Sequence, residues 1–208
     1  MALISLKPVE GNSYESNSPL LFDVLSKINQ DEFYEILDIG PANSTSIEYF
    51  NNYHCKIHIC DSMDELCEMT TDKLNTINKL NRAFVKALSL YKHQKNKIGI
   101  VLLWDLPNYL QPEILSSLIQ FLEQHTNKKI IIHAYIHTSR LMPASPGRYS
   151  IIQHNNVLMQ NDNIGDKTEC PMYYQDALHK YMKPFKVKRS VLQANGIQEY
   201  LFSLKQAQ

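Results

Sequence analysis

The stretch Tyr34-Glu-Ile-Leu-Asp-Ile-Gly-Pro-Ala-Asn-Ser-Thr-Ser-Ile-Glu-Tyr-Phe50 restricts the chain more than any other. Ile36, Leu37 and Ile39 make an apolar run too short for a helix and typical of a buried strand. Gly40-Pro41-Ala42-Asn43 is a tight turn, and a helix is expected from Ser44 or Thr45, carrying Ile47, Tyr49 and Phe50. A strand that ends in glycine and feeds a helix N-terminus turns backbone N–H groups and the positive end of a helix dipole towards a ligand. About 20 residues on, a second strand, Cys55-Lys-Ile-His-Ile-Cys60, ends at Asp61. This is the spacing of an acid that takes the ribose hydroxyls in a nucleotide-binding α/β fold.

A chain of 208 residues suits one α/β domain with a small appendage, here an N-terminal arm and helix (1–30) before the main domain (31–208). In the appendage, Met1 to Ser18 is polar and expected to be at best partly ordered. Pro19 opens a helix capped by Ser18, with Leu20, Leu21, Val24, Leu25 and Ile28 on one stripe. The 21 basic and 21 acidic residues balance, which argues against a general grip on nucleic acid or an anionic membrane. There is no basic leader with an apolar core and no apolar run of about 20 residues, so a cytoplasmic protein with no membrane span is expected. Cys55, Cys60, Cys67 and Cys170 form no C-x-x-C pair and read as free thiols.

Further along, Ser62 to Met69 is helix-like. Asp72 to Tyr91 has the three- and four-residue apolar spacing of a long amphipathic helix, and the strand expected between the two is short or missing. Ile98-Gly-Ile-Val-Leu-Leu-Trp-Asp105 is the clearest central parallel strand, and it too ends in an acid. A helix over Glu113 to His125 leads to a strand from Lys128 to His137. Ile130, Ile132, Ala134 and Ile136 lie on one face of that strand, and Ile131, His133, Tyr135 and His137 on the other. Thr138 to Glu169 reads as a long irregular loop, with Arg148 and Tyr149 where a substrate lid would fall, and Cys170 to Met182 as a helix. Two β-rich runs joined by Asn195-Gly196 predict a hairpin with a type I′ turn. The expected fold is therefore α/β: a doubly wound, mostly parallel, Rossmann-like sheet closed by a C-terminal antiparallel hairpin.

That order of elements, with acids ending three strands, resembles the class I S-adenosylmethionine-dependent methyltransferases over roughly Glu35 to Leu204. Ile36-Leu-Asp-Ile-Gly40 is similar to the start of that family's first motif. Leu102-Leu-Trp-Asp-Leu-Pro-Asn-Tyr-Leu110 is similar to its fourth motif. The resemblance implies S-adenosylmethionine as cofactor. Asp38 would reach its amino group directly or through water, and Gly40, Pro41 and Asn43 would form the turn beneath it. Asp61 would take the ribose hydroxyls, Ser62 and Met63 would border the adenine, and Asp105 and Leu106 would lie at the methionine end.

The turn departs from the family pattern. Pro41 removes an N–H and Ala42 adds a β-carbon where more glycine is usual, while Asn43 can adopt the left-handed conformation in place of one glycine. Asp105, Tyr109 and His137 are the candidate catalytic groups. No metal site is expected, since His133 and His137 lie about 13 Å apart along a strand. The implied activity is methyl transfer to a small molecule or protein side chain. The alternative is a non-catalytic module of the same fold that binds a nucleotide-like ligand or a protein partner. A nicotinamide-dependent oxidoreductase is disfavoured because G-x-G-x-x-G is absent.

Overall fold

The computed structural model describes residues 7–9, 13–28, 32–68, 98–152, 155–161, 165–171, 173 and 175–204. The amphipathic stretch from Asp72 to Tyr91, and with it the question of a third strand, lies outside the described residues.

Four strands run parallel at the centre: β3 (Tyr34–Asp38), β4 (Cys55–Ile59), β5 (Ile98–Leu102) and β6 (Thr126–His137). β11 (Phe185–Leu192) and β12 (Ile197–Leu204) complete the sheet as a hairpin, with β12 antiparallel to β6. The strand order is β11-β12-β6-β5-β3-β4, so the order reverses between β3 and β5, where open α/β sheets form their ligand crevice. Alternation along the strands divides the core in two. Leu37, Val101, Ile130, Ile132 and Ala134 pack on one side beneath α4 (Pro112–His125) and α5 (Gln175–Tyr181). Ile36, Ile100, Leu102, Trp104 and Tyr135 pack on the other with α1 (Pro19–Leu25) and Phe50 of α2 (Ser44–Phe50). The expected two faces of β6 are thus both buried, each against a different layer.

Three expectations are corrected. The stretch from Thr138 to Glu169 is strand-rich: β7 (Leu141–Pro143) pairs with β10 (Lys167–Glu169), and β8 (Arg148–Ile151) pairs with β9 (Asn156–Gln160). The arm supplies two more strands, β1 (Lys7–Val9) and β2 (Ser13–Asn17), and β2 pairs with β9 to give the sheet β1-β2-β9-β8. Backbone groups of both segments find their partners in each other, which no periodicity within either reveals. The helix expected from Cys170 begins only at Gln175.

The Asn195-Gly196 turn is not type I′. Only Gly196 has a positive φ, 78°, and the Gly196 N–H donates to the Gln193 carbonyl. The loop is a type I turn closed by a left-handed glycine, the longer of the two common hairpin solutions.

Ser18 stands at the N-cap of α1, yet its hydroxyl does not cap the helix. It donates instead to Glu199 (2.6 Å), whose carboxylate also accepts from the N–H groups of Leu20 (3.2 Å) and Leu21 (2.9 Å). A side chain from β12 therefore satisfies helix-end donors nearly 180 residues away in sequence. His133 Nε2 lies 2.9 Å from the same carboxylate, and the Tyr135 hydroxyl donates to Ser18 (2.6 Å).

Candidate functional site

The carboxyl ends of β3, β4 and β5 bring Asp38, Asp61 and Asp105 to one end of the sheet. The expected site residues sit there in three different environments. Asp61 is exposed beyond β4, with Ser62 half-buried and Met63 buried at the start of α3 (Met63–Cys67). Asp38 is buried and accepts a 2.6 Å hydrogen bond from the Trp104 indole N–H. Asp105 is buried and accepts from the Gly147 backbone N–H at 3.1 Å and 3.3 Å. Leu106 is buried at the start of the one-turn helix Leu106–Asn108.

Burial sets the electrostatics. It pushes the Asp38 carboxyl up to about 6, with the Trp104 hydrogen bond pulling the other way. It pushes Asp105 up to about 7, opposed by the Gly147 N–H and by Tyr149. The Tyr149 hydroxyl faces this carboxyl without closing a hydrogen bond of good geometry. Among the described residues, neither Asp38 nor Asp105 is in an ion pair. Each of these buried acids, with no cation beside it among the described residues, is costly to ionise unless a ligand supplies the charge.

The turn that was expected to cradle a ligand is built differently from its sequence reading. Asn43 does not adopt the left-handed conformation: at φ −137° and ψ 143° it is the N-cap of α2, and its Oδ1 accepts from the Ser46 N–H at 2.7 Å. Its Nδ2 donates to the Tyr149 carbonyl at 3.1 Å. A cap with two such bonds is worth about 1–2 kcal/mol. Asn43→Ala is expected to lower stability by that amount in chemical denaturation; an unchanged midpoint would show that the cap is idle. Pro41 is half-buried and Ala42 exposed. A β-carbon added to Gly40 would meet Trp104 Cδ1, Asp38 Oδ1 and Met63 Sδ only at ordinary contact distances, 3.7–3.8 Å.

Arg148 and Tyr149, expected where a substrate lid would fall, lie in β8, which packs against Trp104 and the start of α2. The Tyr149 ring stacks on Trp104 with centroids 4.9 Å apart and planes 2° from parallel. The Ile151 N–H donates to Ser46 Oγ at 2.9 Å. With the bonds from Asn43 to Tyr149 and from Gly147 to Asp105, β8 and its approach are tied to α2 and to the segment after β5. Trp104 itself has φ 50°, a left-handed conformation that costs a non-glycine residue on the order of 1–3 kcal/mol. Its position after β5 was legible in the sequence; its strained backbone and its partner Tyr149 were not.

The remaining candidates separate. Tyr109 lies at the rim of a cleft of about 660 Å³ with Asp64, Cys67, Leu110 and Pro146, and its hydroxyl is buried without a partner. His137 is some distance along β6 and lines a different cavity, together with Tyr135 and Tyr149. Asn108 fixes the loop between them: it donates to the carbonyls of Asp105 (2.6 Å) and Tyr135 (2.9 Å) and accepts from the His137 N–H (2.9 Å). Among the described residues, no group of three or more His, Cys, Asp or Glu could hold a metal ion, and no helix is long and apolar enough to cross a membrane.

No family model matches the chain. A stretch of 144 residues, 68% of the chain, is 25% identical to Protein LST4 of Saccharomyces cerevisiae, but this match spans only 17% of that protein's length. Among solved structures, an S-adenosylmethionine-dependent methyltransferase from Clostridium acetobutylicum superposes with a TM-score of 0.50 at 12% identity, covering 90% of each chain. Magnesium protoporphyrin IX methyltransferase from Synechocystis, solved with bound S-adenosylhomocysteine, gives 0.49 at 9% identity over 90% of this chain and 80% of that one. The PH0226 protein of Pyrococcus horikoshii gives 0.48 at 10% identity over 90% and 87%. Strand order, closing hairpin and the Clostridium superposition agree: the chain has the α/β fold of the class I S-adenosylmethionine-dependent methyltransferases.

Proposed function

We propose that this chain binds S-adenosylmethionine at the carboxyl ends of β3, β4 and β5 and transfers its methyl group to a small molecule or a protein side chain. The observation that carries this reading is the two buried acids, Asp38 and Asp105, with no cation beside either among the described residues. The donor chemistry of the site fits the cofactor, whose methionine end is cationic. Trp104 Cδ1 stands nearest to Gly40, 3.7 Å from where a β-carbon would lie, so a ligand that approaches this turn meets the Trp104 side chain.

When bound, the cofactor supplies an electrophilic methyl group. The chain's own residues hold and exclude. Asp38 and Asp105 hold positive charge in a water-poor site, where it is worth far more than in water. Asp61, exposed beside α3, accepts hydroxyl donors, and Ser62, Met63 and Leu106 wall the neighbouring space. Tyr149 and Trp104 keep water from the acids. Tyr109, whose hydroxyl has no partner and whose pKa burial pushes up, stays protonated and offers a hydrogen bond to a group entering its cleft.

The test is calorimetric titration of the folded protein with S-adenosylmethionine and with its demethylated product. Binding in the micromolar range is expected, weakened at least tenfold in Asp61→Ala. A second reading, a non-catalytic module of the same fold that binds a partner chain, is favoured by the stacking of Tyr149 on Trp104, whose indole stands against Gly40 and bonds Asp38. Absence of heat with either ligand would select it.

A further inference from the structure

A second, half-open cavity lies between the small sheet and the ends of β6 and β12, with a volume of about 250 Å³. Its walls are aromatic and apolar: Tyr14, Tyr135, Tyr149, Met142, Met159 and Ile197. Rings and thioether side chains of this kind make a slot suited to a flat π-system. The volume is at the small end for ligand sites and corresponds to one or two rings.

Among the described residues, three side chains on the lining carry a buried polar atom with no hydrogen-bond partner, the Tyr149 hydroxyl, His137 Nε2 and Gln193 Nε2; the Tyr149 hydroxyl faces Asp105, which leaves the two nitrogens for a ligand. The Gln193 assignment follows from the bonds around it. The Ile197 N–H donates to Asn195 Oδ1 at 3.0 Å, which fixes that amide and turns its Nδ2 towards Gln193 at 3.4 Å. Gln193 therefore presents Oε1 to Asn195 Nδ2, and the same oxygen accepts from the Ser16 hydroxyl at 3.2 Å. Its Nε2 is left as a donor with nothing to give to. A buried donor without an acceptor is costly, and a ligand oxygen recovers that cost. Burial holds the His137 pKa down, so its neutral ring has one N–H to place, and an acceptor at Nε2 draws the proton there. Lys167 stands on the lining, and among the described lining residues there is no Asp or Glu.

We propose that this cavity binds a small aromatic carboxylate, its ring against the wall that Tyr135 and Tyr149 form together and facing Met142 and Met159, and its carboxylate on Gln193 Nε2 and His137 Nε2. Neither the cofactor reading nor catalysis is needed for this, because the site is complete without Asp38, Asp61 or Asp105. Tyr149 is a wall of the cavity and also stacks on Trp104, the single tryptophan of the chain, so the Trp104 indole N–H reports occupancy.

The test is titration of the full chain, with no cofactor present, with cinnamate, benzoate and cinnamyl alcohol. Heat is followed by calorimetry and the one indole N–H resonance by NMR. Cinnamate is expected to bind with a Kd on the order of 100 μM or tighter, to move the indole resonance, and to exceed cinnamyl alcohol at least tenfold. Gln193→Glu places a like charge against the ligand and is expected to weaken cinnamate at least tenfold while leaving the thermal unfolding midpoint within a few degrees; Gln193→Leu gives the same loss without the charge. Three results would overturn the proposal: no saturable binding of either carboxylate on a folded sample, equal binding of the alcohol, or unchanged binding in both folded Gln193 variants.

Discussion

Glu199→Leu is expected to destabilise the protein by about 3–5 kcal/mol, a fall in Tm of roughly 6–20 °C for a domain of this size. The carboxylate is fully buried and takes four donors: the Ser18 hydroxyl, the Leu20 and Leu21 N–H groups and His133 Nε2. Leucine fills the volume but strands all four. Two of them are first-turn donors of α1, where a negative charge is also favoured by the helix dipole. The hydrogen bonds and His133 hold the Glu199 pKa below its ordinary value, although burial alone would raise it. The folded pKa is depressed, so this contribution is fully present above the unfolded value, about 4.3, and is lost as pH falls through the folded pKa. The variant should therefore differ most from the parent near neutral pH, and the difference should shrink in acid. Denaturant unfolding across pH, with hydrogen exchange at the Leu20 and Leu21 amides, measures both. A loss below 1 kcal/mol at pH 7 would show that α1 is held by its apolar face alone.

Asp105→Asn is expected to act in the opposite direction on the unliganded protein. Raising a carboxyl from 3.8 to about 7 makes its ionisation costly to the fold, on the order of 4 kcal/mol once it is complete. Here the folded pKa lies above the unfolded one. The folded state holds the extra proton between the two values, so stability falls as pH rises from about 4 to about 7 and stays low above. Asparagine keeps an acceptor for the Gly147 N–H and carries no charge. The variant should gain on the order of 1–4 kcal/mol at pH 8, and the gain should be smaller at pH 5. The same change should abolish any rise in affinity for S-adenosylmethionine between pH 5 and pH 8 that Asp105 contributes, since a cationic ligand selects the ionised acid. Equal stability gains at pH 5 and pH 8 would show that Asp105 does not titrate in the folded protein over that range.

These two acids also mark what the residues disclosed and what they withheld. Asp105 was visible because it ends a continuous apolar strand, and the order of such strands predicts the parallel sheet directly. Glu199 was not. It stands in a β-rich run, and its partners come from α1, almost the whole chain away. The same holds for β8: Arg148 and Tyr149 could be placed near the site, but not the four strands around them, because β2 and β9 complete each other across about 140 residues. The Asn195-Gly196 pair announced a turn but not its type, which the Gln193 to Ile197 hydrogen bonds decide. At Asn43 the pattern suggested a substitute for glycine. The competing preference of asparagine for a helix N-cap prevailed, because the chain was about to enter α2.

Tyr149 has a consequence beyond either space it borders. One face of its ring lies on Trp104 above the acids, and its side chain also walls the aromatic cavity. Any displacement of that ring is felt in both places at once. If filling one space requires Tyr149 to move, the free energy of that movement belongs to both binding equilibria, and by linkage each ligand must change the affinity of the other by the same factor. The fold thus places two chemically different compartments under a single mechanical constraint, with one phenol ring as the partition.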